Sequence, residues 1–481
     1  MKLRELLNGL TILSSSADLD ADIREVRYDS RAVEAGDLFV AITGAETDGH
    51  KYIPMAREKG AACVVCQTVP EDGTPYVQVV DSRRALAVIG ANRFDHPADE
   101  LTMIGVTGTS GKTTSTYLIK SILEQKAGAR VGLIGTIQNM IGDRVLHTER
   151  TTPESYELQK LLREMADAGC SHVVMEASSH ALYLDRVYGI RYAVGVYTNL
   201  SRDHLDFHHT MEEYCDAKAI LFDNCDVGVY NADDPWHERL LQNARCPRRF
   251  SYAVHTQADL TAKNVQLHPG SVDFDAEADT EWAQVHVDTP ALFTVYNALD
   301  AMACCWNLGV PLAECADALA KSHGVKGRME IIPTPGKSYT ILNDYSHKPD
   351  ALENVLQSVK GFAKGRTVVL FGCGGDRDKT KRPVMGAIAA QLADFVIVTS
   401  DNPRTEKPEA IIADILEGMK DTATPYVTIP DRVEAIHYAM DHAQPGDVII
   451  LAGKGHEDYQ EINHKHYPMD ERVIVAAHLN K

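Results

Sequence analysis

A glycine-rich segment, "GVTGTSGKTTS" (105–115), lies between a predicted strand and a predicted helix. Glycines there let backbone N–H groups approach phosphate oxygens at a helix N-terminus, while Lys112 reaches the β and γ oxygens and Thr113 offers its hydroxyl to Mg²⁺. The segment departs from the strict G-x-x-x-x-G-K-[ST] pattern, because Val106 occupies the first glycine position and Gly108 follows two residues later. We predict an ATP or GTP site here; the alternative is a plain glycine turn before a helix.

Acidic and histidine residues follow two further predicted strands. "MEASSH" (175–180) ends one strand, and "TNLSRDHLDFH" (198–208) follows another. A nucleoside triphosphate needs a metal ion to neutralise its phosphates, and Glu176 and His204 lie near strand ends as the glycine-rich segment does. Each also has a plainer interpretation: the serines after Glu176 can cap a helix, and His204 can be a turn residue. Together they favour a Mg²⁺ site.

Three predicted strands in the last 150 residues end in polar motifs: "GCGGDR", "SDNPR" and "AGKGHE". Ligands of doubly wound parallel sheets collect at the carboxyl ends of the strands, so we expect the three motifs to be neighbours. Asp401, Asn402 and Glu457 suit an ammonium group, whereas the Arg404 guanidinium suits a carboxylate. The alternative for "DNPR" is a proline turn with a helix cap, and both can be true.

The elements that must position these groups alternate between strand and helix from Leu101 onward, which indicates parallel sheets covered on both faces. At roughly 100 to 200 residues per domain, 481 residues predict three units. We predict an α/β protein with three domains: an N-terminal α/β substrate domain (1–98), a central P-loop ATPase-type parallel sheet (99–328) and a C-terminal Rossmann-like doubly wound sheet (329–481).

Composition excludes several classes of protein. The formal net charge of −20 argues against a general nucleic-acid binder, because phosphate backbones require a basic surface. No stretch approaches a membrane span of roughly 18 uncharged apolar residues, and the N-terminal "MKLRELLNGLTILSSS" lacks a proper signal core, so we expect a cytoplasmic protein. The ten scattered cysteines do not indicate a disulfide scaffold.

The combination of motifs resembles the Mur ligases, nearly over the whole chain and in order. The resemblance rests on "TGTSGKTT", "TTPES", "MEASSHAL", "TNLSRDHLDFHHTMEEYCDAK", "HGVKGRME", "DYSHKPDALENVL", "GCGGDRDKTKRP", "DNPR" and "AGKGHEDYQ". It implies an ATP-dependent ligase of cytoplasmic peptidoglycan precursor synthesis. The implied reaction adds meso-diaminopimelate to UDP-N-acetylmuramoyl-L-alanyl-D-glutamate through an acyl phosphate, by a chain that we expect to be a monomer.

The resemblance also implies roles for single residues around ATP. Lys218 of "DAKAILF" is by composition an ordinary helix-surface lysine, yet its family counterpart is carbamylated and holds a second Mg²⁺ with the counterparts of Glu176 and His204. Thr113 and Glu176 are implied ligands of the first Mg²⁺. The ATP contacts implied by the family are Gly108, Thr109, Ser110, Gly111, Lys112, Thr113, Thr114, Asn297, Arg328 and Asp344.

Two further sets are implied for the other substrates. Positions matching contacts of the UDP-sugar dipeptide are Ser30, Thr151, Thr152, Ser178 and Arg186. Positions matching amino acid contacts are Arg377, Asp401, Asn402, Pro403, Arg404, Gly453 and Glu457. "DYSHKP" departs from the family's usual "DYAHTP" at Ser346 and Lys348. The segments "DHPADE" (95–100) and "HGVKGRME" (323–330) are candidate hinges for a closure that keeps water from the acyl phosphate.

Other functions remain as alternatives. Within the same chemistry these are a sibling ligase that uses L-lysine or another diamino acid, and a folylpolyglutamate synthetase. Arg404 argues against lysine, and "DNPR" with "GCGGDRDK" argues against the folate enzyme. From another class, the glycine-rich segment could serve a non-catalytic nucleotide-binding regulator or a GTPase-like switch. No N-K-x-D motif that reads guanine supports that class.

Overall fold

The computed structural model describes residues 1–44, 47–125, 129–268, 270–322 and 324–480, which form two compact units. The first unit comprises Met1–Leu200, His204–Tyr230 and Asp234–Phe250, and the second contains the other described residues. His323, the first residue of the second candidate hinge, lies outside the described residues.

The first unit begins with a five-stranded sheet in the order β1-β5-β4-β3-β2, in which only β1 runs antiparallel to its neighbour. Asp81 caps the helix that closes this region, because its carboxylate accepts the N–H groups of Arg83 and Arg84. The elements are α1 (Leu3–Leu6), β1 (Ile12–Ser15), β2 (Val26–Arg27), β3 (Leu38–Val40), α2 (Ile53–Glu58), β4 (Cys63–Cys66), β5 (Tyr76–Val79) and α3 (Ser82–Arg93).

The same unit contains the sheet that carries the glycine-rich segment. Its strands follow the order β12-β11-β6-β10-β7-β8-β9; β12 to β7 are parallel, and β8 and β9 form an antiparallel hairpin. The elements are β6 (Thr102–Thr107), α4 (Lys112–Gln125), β7 (Val131–Ile134), β8 (Asn139–Ile141), β9 (Arg144–Leu146), α5 (Ser155–Asp167), β10 (His172–Glu176), α6 (Ser179–Tyr183), β11 (Tyr192–Tyr197), α7 (Leu205–His208), α8 (Met211–Asp223), β12 (Cys225–Asn231) and α9 (His237–Asn243).

The second unit starts with antiparallel strands that sequence analysis did not predict. β14, β15 and β16 pair in sequence order, and buried and half-buried side chains alternate along β15, which is typical of a strand with one face on a core. The elements are β13 (Arg248–Ala253), which crosses the unit boundary, β14 (Leu260–Leu267), β15 (Val272–Ala278), β16 (Glu281–Val287), α10 (Leu292–Asn307) and α11 (Leu312–Ala320).

The rest of the second unit is a doubly wound sheet in the order β17-β18-β22-β19-β20-β21, parallel except for β17. Apolar cores cover both of its faces. The elements are β17 (Glu330–Ile332), β18 (Thr340–Asp344), α12 (Pro349–Lys360), β19 (Thr367–Phe371), α13 (Lys381–Leu392), β20 (Phe395–Val398), α14 (Pro408–Glu417), β21 (Tyr426–Thr428), α15 (Arg432–Asp441), β22 (Val448–Ala452), β23 (Tyr459–Ile462), β24 (Lys465–Pro468) and α16 (Glu471–Leu479).

These sheets confirm the predicted α/β class with parallel sheets in three regions. The domain boundaries at residues 98 and 328 stay predictions. Within the described ranges, none of the helices is both long and apolar enough to cross a membrane.

Candidate functional site

The glycine-rich loop is braced by the end of β11. Asn199 accepts the N–H of Ser110 at 3.0 Å through its side chain and the N–H of Thr109 at 2.9 Å through its carbonyl. A Cβ on Gly108 would lie 1.8 Å from the Thr198 hydroxyl oxygen, so only glycine fits there. The loop is therefore held in one shape before any ligand arrives.

Lys112, the first residue of α4, folds back over this loop. Its Nζ donates to the carbonyl oxygens of Gly108 and Thr109, both at 2.9 Å. The ammonium group thus lies inside the arc of the loop, next to the N-terminus of a 14-residue helix whose first N–H groups favour an anion. This arrangement suits the phosphates of a nucleotide.

Glu176, at the end of β10, lies beside the first turn of α4. Its buried carboxylate accepts the Thr113 hydroxyl at 3.0 Å and the backbone N–H of Thr136 at 2.9 Å on Oε1, and the Thr136 hydroxyl at 3.0 Å on Oε2. A hydroxyl and a carboxylate at a phosphate-binding loop are the hard oxygen ligands that Mg²⁺ prefers, so these residues fit that ion. Sequence reasoning missed Thr136, which precedes no recognisable motif.

Lys218 is not the helix-surface lysine that local composition predicts. Its side chain is only 1% exposed, so the helix-surface interpretation is wrong. Nζ donates to the Gly108 carbonyl at 2.9 Å and lies 4.2 Å from the centre of the Tyr214 ring, whose hydroxyl is 3.2 Å from that of Thr109. A lysine of α8 therefore reaches the glycine-rich loop itself, where a carbamate would present a carboxylate.

His204 precedes α7 with a left-handed backbone, and its ring centre lies 4.7 Å from that of His180. The neighbouring His208 is buried, and its Nε2 is 2.9 Å from the Ser179 hydroxyl. Across the described ranges, no three His, Cys, Asp or Glu side chains converge as a ready metal cage. The second Mg²⁺ and its ligands stay predictions.

Three of the predicted dipeptide-binding residues surround Glu176. The Thr152 hydroxyl donates to the Glu176 carbonyl at 2.7 Å and accepts the Ser178 N–H at 3.2 Å. The Thr151 hydroxyl is 3.0 Å from that of Thr136, which in turn bonds the Glu176 carboxylate. The structure therefore brings these positions to the edge of the predicted Mg²⁺ site.

Arg186 belongs to a basic cluster next to this edge. Its Nη1 donates to the Thr152 carbonyl at 3.4 Å, and burial lowers the pKa of its guanidinium. Arg186, Arg150 and Arg83 place nitrogens 3.3, 3.7 and 3.4 Å from the buried carboxylate of Glu154. Three cations around one anion leave positive charge that suits an anionic substrate. Sequence reasoning did not single out Arg83, Arg150 or Glu154.

Ser30 shares no hydrogen bond with that cluster within the part of the chain that the structure describes. It is buried at the start of a 3₁₀ turn, Ser30–Ala32, whose preceding Asp29 accepts the Arg31 N–H at 2.9 Å. No hydrogen bond within the described residues links its side chain to the Glu176 region. Its predicted contact with the uridine nucleotide stays a prediction.

The remaining predicted ATP positions belong to the second unit. Asp344, at the end of β18, accepts the Met329 N–H at 2.7 Å and the Ser346 hydroxyl, and burial raises the pKa of its carboxyl. Arg328 lies 4.9 Å from the centre of the Tyr345 ring. Ser346, a departure from the family motif, thus supports Asp344. Asn297 is buried on α10, a separate element.

The two motifs "SDNPR" and "AGKGHE" meet, as the sequence predicts, through a buried lysine that it did not single out. Lys454 is 0% exposed and donates to Glu457 Oε2 at 2.6 Å and Asn402 Oδ1 at 2.8 Å, with Asp401 at 4.0 Å. Asn402 Nδ2 also donates to Glu457 Oε2 at 2.9 Å. A Cβ on Gly453 would lie 2.8 Å from Asp401 Oδ2, so the two loops pack closely.

Arg404 joins the third motif, "GCGGDR". Its Nη1 donates to the Gly375 carbonyl at 2.9 Å, and its Nε pairs with Glu461 Oε2 at 2.8 Å. Pro403 packs on the same loop, because a Cβ on Gly375 would lie 1.9 Å from its carbonyl oxygen. Arg377 is exposed and has no ion pair to any described residue. A guanidinium, carboxylates and a free arginine therefore line one end of the sheet.

Arg432 ties these strand ends together from beneath. It is 1% exposed and donates to the Ser400 carbonyl at 3.2 Å and the Ala452 carbonyl at 2.9 Å, the residues immediately before Asp401 and Gly453. Its Nε pairs at 2.8 Å with Glu471, whose side chain is also fully buried. This residue was not predicted, because a helix N-terminal arginine has no distinguishing pattern.

Comparisons with known proteins agree with this geometry. Three family models match: the Mur ligase family catalytic domain (22–94), the Mur ligase middle domain (106–305) and the Mur ligase glutamate ligase domain (327–455). A UDP-N-acetylmuramoyl-L-alanyl-D-glutamate–2,6-diaminopimelate ligase from Clostridium tetani is 46% identical over 99% of this chain and 98% of the relative.

Two further comparisons extend this. A protein from Clostridium acetobutylicum with the same ligase name, numbered 1, is 46% identical over 100% of both chains. A solved structure of a UDP-N-acetylmuramoyl-L-alanyl-D-glutamate–2,6-diaminopimelate ligase superposes with a TM-score of 0.73 at 32% identity, covering 100% of this chain and 99% of the other.

Proposed function

The chain belongs to the Mur ligase family, and from that premise we propose that it joins meso-diaminopimelate to UDP-N-acetylmuramoyl-L-alanyl-D-glutamate at the expense of ATP. The relatives that share 46% of its residues over almost the full length carry that ligase name, with 2,6-diaminopimelate as the amino acid. The reaction forms one amide bond in a peptidoglycan precursor.

The choice of amino acid rests on one observation: positive and negative side chains lie together at the carboxyl ends of the strands in the doubly wound sheet of the second unit. The distal end of diaminopimelate presents both a carboxylate and an ammonium, whereas lysine presents only an ammonium. Arg404 offers N–H groups to the carboxylate, with Arg377, Pro403 and Gly453 nearby in the same motifs. Asp401, Asn402 and Glu457 offer oxygens to the ammonium.

ATP is proposed to bind the glycine-rich loop. Residues 108–114 would surround its phosphates, with Lys112 facing the β and γ oxygens. Asn297, Arg328 and Asp344 would contact its adenine, γ-phosphate and ribose. Thr113 and Glu176 would hold one Mg²⁺, and carbamylated Lys218 with Glu176 and His204 a second; when bound, these ions offset the charge on the transferred phosphate.

The chain's part in the reaction is positioning. The γ-carboxylate of D-glutamate attacks the γ-phosphorus of ATP, ADP leaves, and an acyl phosphate forms. The amine of diaminopimelate then attacks the acyl carbon, and inorganic phosphate departs as the amide is made. Lys112 stabilises charge on the transferred group, and Thr151, Thr152, Ser178 and Arg186 would orient the glutamate arm.

The nucleotide part of the acceptor is proposed to reach Ser30 in the N-terminal region. ATP and UDP-linked precursors are found inside the cell, so we propose a cytoplasmic enzyme. We also propose that it is active as a monomer. Carbamylation of Lys218 and the use of Mg²⁺ are parts of the same proposal.

The test is phosphate release by the purified protein with ATP, Mg²⁺ and UDP-N-acetylmuramoyl-L-alanyl-D-glutamate, with meso-diaminopimelate or L-lysine as the added amine. We expect release that requires both the dipeptide substrate and meso-diaminopimelate. Equal or faster release with L-lysine would identify the sibling ligase instead. Nucleotide binding with no amine-dependent release would indicate a regulator.

A further inference from the structure

The hairpin β23–β24 clasps the segment 400–404 through backbone and side-chain bonds. Gln460 Nε2 donates to the Asp401 carbonyl at 2.7 Å and the Ser400 hydroxyl at 3.2 Å, and the Glu461 N–H donates to Asn402 Oδ1 at 2.9 Å. The Arg404 N–H in turn donates to the Glu461 carbonyl at 3.1 Å. A two-stranded hairpin alone is marginally stable, so these bonds hold each partner in place.

Arg404 has a left-handed backbone, with φ of 51°. That conformation costs about 1 kcal/mol or more for a residue with a Cβ, and glycine or asparagine adopts it more easily. The hairpin offsets this cost, because the Arg404 N–H bonds Glu461 and the Arg404 carbonyl accepts the Asn463 N–H at 2.9 Å. Strained non-glycine positions cluster at ligand sites, and Arg404 lies in one of the motifs proposed to bind the amino acid.

Glu461 also holds the side chain of Arg404. Its Oε2 pairs with Nε at 2.8 Å, and both side chains are 19% exposed. The Gly375 carbonyl takes one N–H of Nη1. Of the five guanidinium N–H groups, three then remain, two on Nη2 and one on Nη1. That number suffices for a bidentate bond to one carboxylate.

We propose that Glu461 is a positioning residue for amino acid selection: through the hairpin it fixes both the backbone and the guanidinium plane of Arg404, so that the remaining N–H groups meet the distal carboxylate of the amino acid. The inference rests on the proposed function. A preorganised guanidinium loses less conformational entropy on binding than a free one, and binding of a carboxylate-bearing amino acid gains accordingly. L-Lysine, which lacks that carboxylate, gains nothing from it.

Three variants test this in the full-length enzyme. Glu461→Ala removes the carboxylate, Glu461→Gln keeps an oxygen that accepts the Nε–H, and Glu461→Met keeps the side-chain length should the alanine variant fold poorly. Asp414→Asn is the matched control, because Asp414 pairs at 2.8 Å with a buried arginine, Arg382, of the same sheet region. For each protein the KM for meso-diaminopimelate, the KM for ATP and the kcat/KM ratio of meso-diaminopimelate to L-lysine are measured.

We expect Glu461→Ala and Glu461→Met to raise the KM for meso-diaminopimelate about 10-fold or more and to lower the kcat/KM ratio of meso-diaminopimelate to L-lysine by a similar factor. The reason is that Glu461 would no longer hold the Arg404 guanidinium in position for its charged hydrogen bonds to the distal carboxylate. In all these variants the KM for ATP should stay within about 2-fold of wild type. Glu461→Gln should keep most of the wild-type affinity for meso-diaminopimelate, and Asp414→Asn should have wild-type values of both KM constants and of the kcat/KM ratio.

An unchanged KM for meso-diaminopimelate in the folded Glu461 variants would overturn the inference while the proposed function stands. So would an equal rise in both KM values, since that indicates a merely structural role. Wild-type enzyme that does not use meso-diaminopimelate at all would overturn the proposed function, and the inference with it.

Discussion

Removing the buried cation Arg432 should loosen the strand ends that carry the amino acid motifs. In Arg432→Met the Ser400 and Ala452 carbonyls lose their donor, and the Glu471 carboxylate, fully buried, loses its ion-pair partner at 2.8 Å. Breaking a buried ion pair by deleting one partner costs about 3 to 5 kcal/mol. We expect a loss of that size in the local stability of β20 and β22.

The chain's three tryptophans, Trp236, Trp282 and Trp306, all precede this sheet, so hydrogen exchange read by mass spectrometry is the suitable assay. At a factor of ten per about 1.4 kcal/mol, peptides covering residues 395–404 and 448–457 should exchange roughly 10²- to 4 × 10³-fold faster. The double variant Arg432→Met/Glu471→Leu should recover part of the protection, because it removes the unpaired buried carboxylate while the Ser400 and Ala452 carbonyls still lack their donor.

The matched control lies at the opposite end of the same sheet, where Arg366 precedes β19 and Asp447 precedes β22. Arg366 pairs with Asp447 at 2.7 Å but is 32% exposed, and Asp447 keeps the N–H groups of Gln444 and Arg366 as donors. Arg366→Met should therefore cost only about 1 kcal/mol. The reasoning is refuted if Arg432→Met changes exchange no more than Arg366→Met, or if the double variant exchanges as fast as the single one.

Lys218, Lys112, Arg404 and two buried histidines offer further tests. Lys218→Ala should lower the rate of phosphate release about 100-fold or more, and added acetate should restore part of it by replacing the carbamate; an unchanged rate would exclude that role. Lys112→Met should lower kcat by a similar factor, whereas a change in the KM for diaminopimelate alone would contradict its place at ATP. Arg404→Ala should raise the KM for meso-diaminopimelate about 10- to 100-fold and leave the KM for ATP nearly unchanged. An equal rise in both KM values would refute a role of Arg404 in amino acid selection. Burial lowers the pKa of His347 and of His456 to about 4, whereas histidines of the unfolded chain take up protons near pH 6.5. The free energy of unfolding, measured with urea, should therefore fall between about pH 6.5 and pH 4, by up to about 3 kcal/mol for each of the two residues. The fall should be smaller in a His347→Gln/His456→Gln variant, and an equal fall in that variant would refute the assignment.

The βα rhythm was enough to predict most of the parallel sheets. The helix expected from Lys112 to Gln125 is α4, and the strands expected before "SDNPR" and "AGKGHE" are β20 and β22. Continuous apolar strands between amphipathic helices have few other solutions. The antiparallel strands β14 to β16 escaped notice, although the alternation along β15 is regular, because their polar faces resemble loop composition.

The site was predictable to the extent that motifs carry it. Glycine, lysine and threonine spacing indicates the proposed nucleotide loop, and the polar strand ends indicate the proposed amino acid site. What local sequence does not contain is burial: Lys218 resembles a surface lysine until α8 places it against Gly108. Arg432 and Glu461 likewise act through partners dozens of residues away, so no window of sequence could show them.

The most direct test of the proposed ligase is a competition in one tube. The purified protein receives ATP, Mg²⁺, UDP-N-acetylmuramoyl-L-alanyl-D-glutamate and equal concentrations of meso-diaminopimelate and L-lysine, and mass spectrometry identifies the UDP-linked product. The proposed contact between Arg404 and the distal carboxylate predicts that the diaminopimelate tripeptide exceeds the lysine tripeptide by about 100-fold or more. A product dominated by lysine, or phosphate release with no tripeptide at all, would contradict it.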